Sequence, residues 1–344
     1  VPEFRRDPIT GAWVIFSPER AGRPGSFVKN PPEQGLMPDC PFCPGHEKNT
    51  PVEIMHFPGS LEYPGRPWAL RVIDDNQPLL TSTHGIHRYG EGMYDLMSGF
   101  GFHELVVESP IHTDGYLTYL ESHIRNILLA YQSRFAELGR QEGIQQILIT
   151  RNTGRAGGPY HIHPHSHIVA LPIVPKRIFE ECLGCLKYYK FKERCLYCDI
   201  IHQETVDRSR LVLENEEFVA FCAYAGRFPY EVVITPKAHW SRFEHIRPNE
   251  IALLAQMLKS VLTAVKRHLE SPPLSFIFHT APTPQAQQEE LSCVTKYYHW
   301  HIEIIPKLTR TAGFEWGSGF YINPVLPEVA ARALRESCKS TAAV

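Results

Sequence analysis

The 344-residue sequence lacks an excess of charge of either sign, with 35 lysines and arginines against 37 aspartates and glutamates and a formal net charge of −2. A balance this close to zero gives no global field for nucleic acid or an anionic membrane. Any recruitment of an anionic ligand must come from a local cluster, for which Arg20 and Arg23 are the candidates. Long apolar runs are also missing: none approaches the ~20 residues of a membrane-spanning helix. The start, Val1-Pro-Glu-Phe-Arg-Arg6, has no signal-peptide apolar core. The expectation is a cytoplasmic globular protein with no nucleic-acid or membrane partner. An even complement of cysteines is absent too. There are nine, and the Cys-x-x-Cys pairs at Cys40/Cys43, Cys182/Cys185 and Cys195/Cys198 point to metal before disulfide in a reducing compartment.

What the sequence does have is histidine in register. From His161 to Pro175 it reads His-Ile-His-Pro-His-Ser-His followed by Ile-Val-Ala-Leu-Pro-Ile-Val-Pro. If this run is a strand, its period of two puts His161, His163, His165 and His167 on one face. Imidazoles titrate near neutrality, so aligned ones can divide nucleophilic, acid–base and metal-ligating roles. The apolar continuation argues against a solvated loop, and the internal position argues against a tag.

The chain repeats itself. In the first half, Cys40-Pro-Phe-Cys43 precedes a strand at Glu104 to Pro110, then His112. A helix is expected from near Gly115, with Leu117, Leu120, Ile124, Leu128, Tyr131 and Phe135 on one face, and a buried strand from Gln146 follows. The loop from Asn152, carrying Gly157 and Gly158, would let backbone amides approach an anion. In the second half, Cys195/Cys198 precedes a strand from Glu231, then His239. A helix over 249–269 follows, then a strand at Ser275 to His279, and finally His299-Trp-His301-Ile-Glu303. This order predicts an α+β fold built from a duplicated unit, with antiparallel sheets carrying the histidines and helices covering the back. The halves divide at 1–176 and 177–344. Where the first half has His167, the second has Glu303.

The count assigns one metal site per half: Cys40, Cys43, His112 and His163, then Cys195, Cys198, His239 and His299. Each is a closed set of two cysteines and two histidines, which makes it structural, and about two zinc ions per chain are expected. An all-cysteine site from Cys182, Cys185, Cys195 and Cys198 is the rival.

The sequence resembles the galactose-1-phosphate uridylyltransferase family of the histidine triad superfamily, nearly end to end. The resemblance rests on Trp13-Val-Ile-Phe-Ser-Pro-Glu-Arg20-Ala-Gly-Arg23-Pro, Cys40-Pro-Phe-Cys43, Glu108-Ser-Pro-Ile-His112, His163-Pro-His165, Phe228-Pro-Tyr-Glu-Val-Val-Ile-Thr-Pro-Lys237 and His299-Trp. Gly313-Phe-Glu-Trp-Gly-Ser-Gly-Phe-Tyr-Ile-Asn-Pro is most like the branch that includes ADP-glucose phosphorylases. The resemblance implies a histidine-triad-like fold and ping-pong nucleotidyl transfer through a nucleotidyl-histidine on His165, with His167 beside it. Arg20, Arg23, Asp75, Asn152, Gly157, Gly158 and Ser166 would contact the substrate. It further implies a nucleoside diphosphate sugar and a sugar 1-phosphate as partners, a place in galactose metabolism, and a homodimer. Three positions depart from the usual pattern: His167 for glutamine, Tyr160 for serine and Asp75 for asparagine. The first reading is therefore exchange between UDP-glucose and galactose 1-phosphate. Its alternatives are an ADP-glucose phosphorylase-type adenylyltransferase, a histidine-triad nucleotide hydrolase, and a non-catalytic zinc-stabilised binder of nucleotide sugars.

Overall fold

The computed structural model describes residues 1–22, 27, 39–59, 62–112, 115–154 and 162–339. Strands β1 (Glu3–Arg6) and β2 (Trp13–Phe16) form an N-terminal hairpin. Then come β3 (Glu53–Pro58), β4 (Trp68–Asp74), a separate hairpin of β5 (Arg88–Glu91) and β6 (Tyr94–Met97), β7 (Phe102–Val107), helix α1 (Glu121–Leu138), β8 (Gln146–Thr153) and β9 (His165–Leu171). Helices α2 (Lys176–Lys192) and α3 (Leu196–Asp207) lead into β10 (Leu211–Glu214), β11 (Phe218–Phe221), β12 (Val232–Pro236), α4 (Pro248–His268), β13 (Leu274–His279), the single turn α5 (Val294–Tyr297) and β14 (His301–Pro306). The chain closes with α6 (Gly313–Ser318), β15 (Tyr321–Asn323) and α7 (Pro327–Lys339).

Ten of these strands make one sheet in the order β10-β11-β12-β14-β13-β8-β9-β7-β4-β3. In chain order the first half contributes β3, β4, β7, β8 and β9, and the second contributes β10 to β14. Each half thus places its fifth strand between its third and its fourth, and the two fourth strands meet as the antiparallel pair β8–β13. The duplication read from the order of motifs is therefore present as two copies of one topology fused edge to edge. Fusion removes a sheet edge from each half, which would otherwise expose unpaired backbone groups.

Alternation explains why one face is greasy and the other chemical. Ile168 and Ala170 of β9, and Ile302 and Ile304 of β14, point into the main core with α1 and α4, while His165, His167, His301 and Glu303 point the other way. Helix α4 starts where its sequence dictates: Pro248 occupies the first turn, and the Glu250 carboxylate accepts the Arg247 N–H at 2.6 Å. The helix expected from Gly115 begins instead at Glu121. Residues 115–120 form turns that bury Tyr116 and Tyr119, leaving Leu117 and Leu120 exposed. The histidine strand is also shorter than the 161–175 run, because Pro164 cannot donate to the ladder and pairing begins at His165.

The N-terminal hairpin lies against the second half. β2 pairs in parallel with β15, and Arg5 is bonded to Glu328 at 2.8 Å. The chain passes so close to α2 that a Cβ at Gly184 would sit 1.7 Å from the Ile9 carbonyl oxygen.

Beneath β9 the core is not wholly apolar. Glu108 is fully buried, receives Arg151 Nε at 2.7 Å, and accepts the Ser166 hydroxyl at 2.9 Å, while Tyr131 lies 2.5 Å from the same hydroxyl. A buried ion pair satisfied on this many sides is sensitive to loss of one partner, because the other is left charged and dry. Glu108→Ala is expected to lower unfolding free energy by ~3–5 kcal/mol, measured by denaturant titration; a loss within experimental scatter would contradict this account of the network.

Candidate functional site

His165 begins β9, and its ring is buried against Phe42 and His167, with ring centroids 5.7 and 5.0 Å away. Its Nδ1 lies 2.7 Å from the carbonyl oxygen of His163. A carbonyl can only accept, so Nδ1 carries the proton and the neutral ring keeps its lone pair on Nε2. The residue lines a cavity of about 510 Å³ that it shares with His167, Asp75, Asn76, Phe42 and Leu105. That is an imidazole with a fixed tautomer, able to act as a nucleophile, at the wall of a pocket large enough for a small molecule.

The knuckle Cys40 to Cys43 closes on the same place. Its sulfurs approach imidazole Nδ1 atoms at 3.6 Å (Cys40 to His163), 3.7 Å (Cys43 to His163) and 3.5 Å (Cys43 to His112), and the two Nδ1 atoms are 3.3 Å apart. Four ligands held ~2.0–2.3 Å from a tetrahedral centre are spaced by about these distances. His163 Nε2 donates to the Ser109 carbonyl at 2.7 Å, which leaves its Nδ1 lone pair for a metal. Burial, followed by the charge of Cys40, pushes the Cys43 thiol up to about 11, a cost that a bound cation would reverse. Phe42, between the two cysteines, packs edge-on against His163.

The second half repeats the arrangement. Cys198 Sγ lies 3.5 Å from His239 Nδ1 and 3.8 Å from His299 Nδ1, and Cys195 completes a group whose ligand atoms all fall within 4.8 Å of one another. The far nitrogens of His239 and His299 donate to the Thr295 and Pro236 carbonyls at 2.9 and 2.8 Å. Among the described residues, Cys182 and Cys185 do not join this group. They are buried on α2 in an apolar cluster, and burial pushes both thiols up.

At the place of His165 the second half has His301, whose Nδ1 again faces the carbonyl two residues back, His299, at 3.2 Å. Here the likeness ends. Glu303 replaces His167, and Glu181 and Glu303 crowd His279 and His301 in a buried cluster of four potential ligands that sequence reasoning did not identify. Arg227 bonds Glu303 at 2.5 Å, and Arg177 forms an ion pair with Glu181 at 2.9 Å, so both carboxylates already have cationic partners. Burial, and then the charge of His279, hold His301 down to about 4, so it is neutral at pH 7. Glu181 is held down to about 2: burial would raise it, but His279 and Arg177 more than offset that. A cavity of about 420 Å³ opens beside this network.

The remaining expected site residues divide. Asp75 lines the His165 cavity. Asn152 on β8 accepts the Ser275 hydroxyl at 2.5 Å and faces the same side of the sheet as His165, one strand away. Ser166 is not brought to the cavity: the period of two turns its hydroxyl to the opposite face, into the Glu108 network. Arg20 sits on the short 3-10 turn Pro18–Gly22, after the hairpin, and is not among the residues lining the cavity. Arg23, Gly157, Gly158, Tyr160 and His161 lie outside the described residues.

Sequence reasoning missed His103. It is buried on β7, diagonal to His167, with its Nε2 3.0 Å from His167 Nδ1. Its position in Phe102–Val107, two residues before the apolar run that starts at Leu105, was the only signal available.

The comparisons with known proteins agree with this geometry. Residues 1–175 match the N-terminal domain, and residues 184–336 the C-terminal domain, of galactose-1-phosphate uridyl transferase. The chain is 34% identical to the ADP-glucose phosphorylase of Arabidopsis thaliana, covering 97% of this chain and 93% of that protein. It is 29% identical to the galactose-1-phosphate uridylyltransferase of Thermotoga maritima, over 97% and 98% of the two chains. A crystal structure of the Arabidopsis thaliana ADP-glucose phosphorylase with bound ADP-glucose superposes with a TM-score of 0.80 and 31% identity, over 98% of this chain and 99% of that one. A uridylyltransferase structure does so at 0.75 and 28%, over the same shares. With both domains matched along nearly its whole length, and the histidine strand, knuckles and duplicated sheet in place, this chain belongs to the galactose-1-phosphate uridyl transferase family.

Proposed function

We propose that the protein is a nucleotidyltransferase that moves a nucleotide from a nucleoside diphosphate hexose to a phosphate-bearing acceptor through a covalent adduct on His165. The observation that carries this reading is the Nδ1–H bond from His165 to the His163 carbonyl at 2.7 Å, which leaves an Nε2 lone pair at the wall of the cavity. In the first step the Nε2–P bond forms and the bond from the α-phosphorus to the bridging oxygen breaks, so sugar 1-phosphate leaves with its electron pair. In the second, an acceptor phosphate oxygen attacks the same phosphorus, and the N–P bond returns its electrons to the ring. No net proton is consumed, which suits a neutral imidazole. His167, Asp75 and Asn152 line or flank this path. Arg20, with Arg23, Gly157 and Gly158, is assigned to the phosphates on the family resemblance.

The nucleotide is adenylyl or uridylyl. The higher identity to the ADP-glucose phosphorylase supports the adenylyl version, in which inorganic phosphate is the acceptor; the family match and the Thermotoga maritima relative support the uridylyl version, with galactose 1-phosphate. Incubation with ADP-, UDP- and GDP-glucose in turn, without acceptor, is expected to give one nucleotidyl adduct by intact mass, and its base identifies the donor. His165→Ala should form none and retain less than about a thousandth of wild-type transfer while keeping its fold and metal content. A folded variant that still transfers nucleotide at a substantial rate would remove His165 from the role.

Both mixed groups are assigned zinc, one ion each, because two thiolates and two Nδ1 lone pairs at tetrahedral spacing are a closed structural set. We also read residues 1–176 and 177–344 as the two halves of the duplicated unit, a reading supported by the repeated strand order. Metal analysis is expected to give about two zinc ions per chain. Cys40→Ser and Cys195→Ser should each lose about one, and only Cys40→Ser should also slow adduct formation, since His163 belongs to its group. A single ion that survives Cys40→Ser would contradict the paired scheme.

A further inference from the structure

The group at the far side of His167 has no counterpart among the residues assigned so far. His103 is buried on β7, two residues along the strand from Leu105, the residue opposite His167. Diagonal neighbours on adjacent antiparallel strands are within reach of each other's rings. The ring centroids are 5.2 Å apart while the facing nitrogens are 3.0 Å apart, at an interplanar angle of 26°. The two imidazoles therefore meet edge to edge in nearly one plane, the geometry of a hydrogen bond rather than a stack. One proton lies between them, and the question is which ring owns it.

The other end of His103 answers it. Its Nδ1 lies 3.1 Å from the backbone nitrogen of Leu79. A peptide N–H has no acceptor capacity, so Nδ1 must present its lone pair there. A neutral His103 then carries its proton on Nε2 and donates it to His167 Nδ1. His167 in turn keeps its own proton on Nε2, on the ring edge away from His103. Asp75 Oδ2 stands 3.4 Å from His103 Nδ1, and the Asp75 N–H bonds the His103 carbonyl at 3.0 Å, so the cavity-lining loop is tied to this ring. Burial lowers the pKa of His103 while the Asp75 charge opposes that shift, and the net direction favours the neutral ring.

We propose that His103 is a positioning residue that fixes His167 as the Nε2–H tautomer, so that His167 donates a hydrogen bond to the phosphoryl group carried by His165. An imidazole held in this way does the work of a side-chain amide, which is what the family resemblance implies at this position. A histidine left to itself would populate both tautomers, and one of them would aim a lone pair at an anionic phosphate. The chain thus keeps a fixed donor despite its departure at His167, and the residue responsible comes from a neighbouring strand.

This inference rests on the nucleotidyl-His165 reading, and the test separates the two. Long-range proton–nitrogen correlation spectra of the full-length, metal-loaded, nitrogen-15 histidine-labelled protein report which ring nitrogen of His167 is protonated. The His167 signals are assigned by their loss in His167→Gln. The wild type is expected to show Nε2–H alone. In His103→Phe, which keeps a ring in place, both tautomers should appear, and kcat for adduct formation should fall about five- to tenfold with little change in KM, the population factor one ordinary hydrogen bond supports. His103→Gln, whose amide can place a donor near the same point, should restore the Nε2–H signal and most of the rate. A wild-type His167 protonated on Nδ1, or a tautomer unmoved in folded His103→Phe, would overturn the proposal. Absence of any adduct in the wild type would instead count against the nucleotidyl reading and leave the tautomer measurement standing.

Discussion

His163 holds the first half of the molecule to its chemistry through three bonds made at once. Its Nδ1 joins Cys40, Cys43 and His112; its Nε2–H donates to the Ser109 carbonyl; its own carbonyl accepts the Nδ1–H of His165. The first bond needs a lone pair on Nδ1, the second guarantees it, and the third selects the tautomer of the neighbouring ring. A candidate metal-ligand set and the His165 imidazole, two residues apart, are therefore held as one rigid unit. Rigidity of this kind matters chemically, because a reacting group that is already oriented avoids an entropic cost at the moment of reaction.

The sheet supplies the rest of that rigidity. β9 is flanked on both sides, by β7 and β8, so its register is fixed by two ladders, and its alternation cannot slip without exposing Ile168 and Ala170. β7 carries Leu105 and His103 to the same face as the site, while the Glu108 network ties Arg151 and Ser166 from below. Opposite faces of one strand thus serve opposite needs. One is sealed into the core and a satisfied polar network, and the other lines a cavity.

The second half shows what the same topology becomes when the third position of the motif changes. His299 repeats the three-way role of His163, and His301 repeats the carbonyl bond of His165. Yet Glu303 stands where His167 would be, and Arg177 and Arg227 are drawn in to neutralise it and Glu181. Buried carboxylates require such partners. The duplicated scaffold therefore holds two histidines at the wall of one cavity, and in the other half an ion-paired cluster whose His301 and Glu303 line a cavity of their own.

The local pattern of the sequence determined a good deal by itself. Alternation at His163 to His167 and His299 to Glu303, the Cys-x-x-Cys spacings, and the repeated order of motifs were enough to place the duplicated α+β unit and to bring together both mixed groups of cysteines and histidines, because strand period and ligand spacing are properties of the backbone. Ser166 was misplaced although the same period governs it, since strand position alone assigns a face but does not say which face has a cavity. The early start of the first helix was misjudged because Leu117 and Leu120 fit its periodicity, while only packing decided that Tyr116 and Tyr119 would be buried instead. His103 and the Glu181–His279 pair were invisible for a different reason. Each meets its partner across a strand pair or between a helix and a sheet, at sequence separations of 64 and 98 residues, and no local period encodes such a contact. Which rings become neighbours, and hence which proton sits on which nitrogen, was settled by the tertiary fold, because hydrogen-bond direction depends on what lies at both ends of an imidazole.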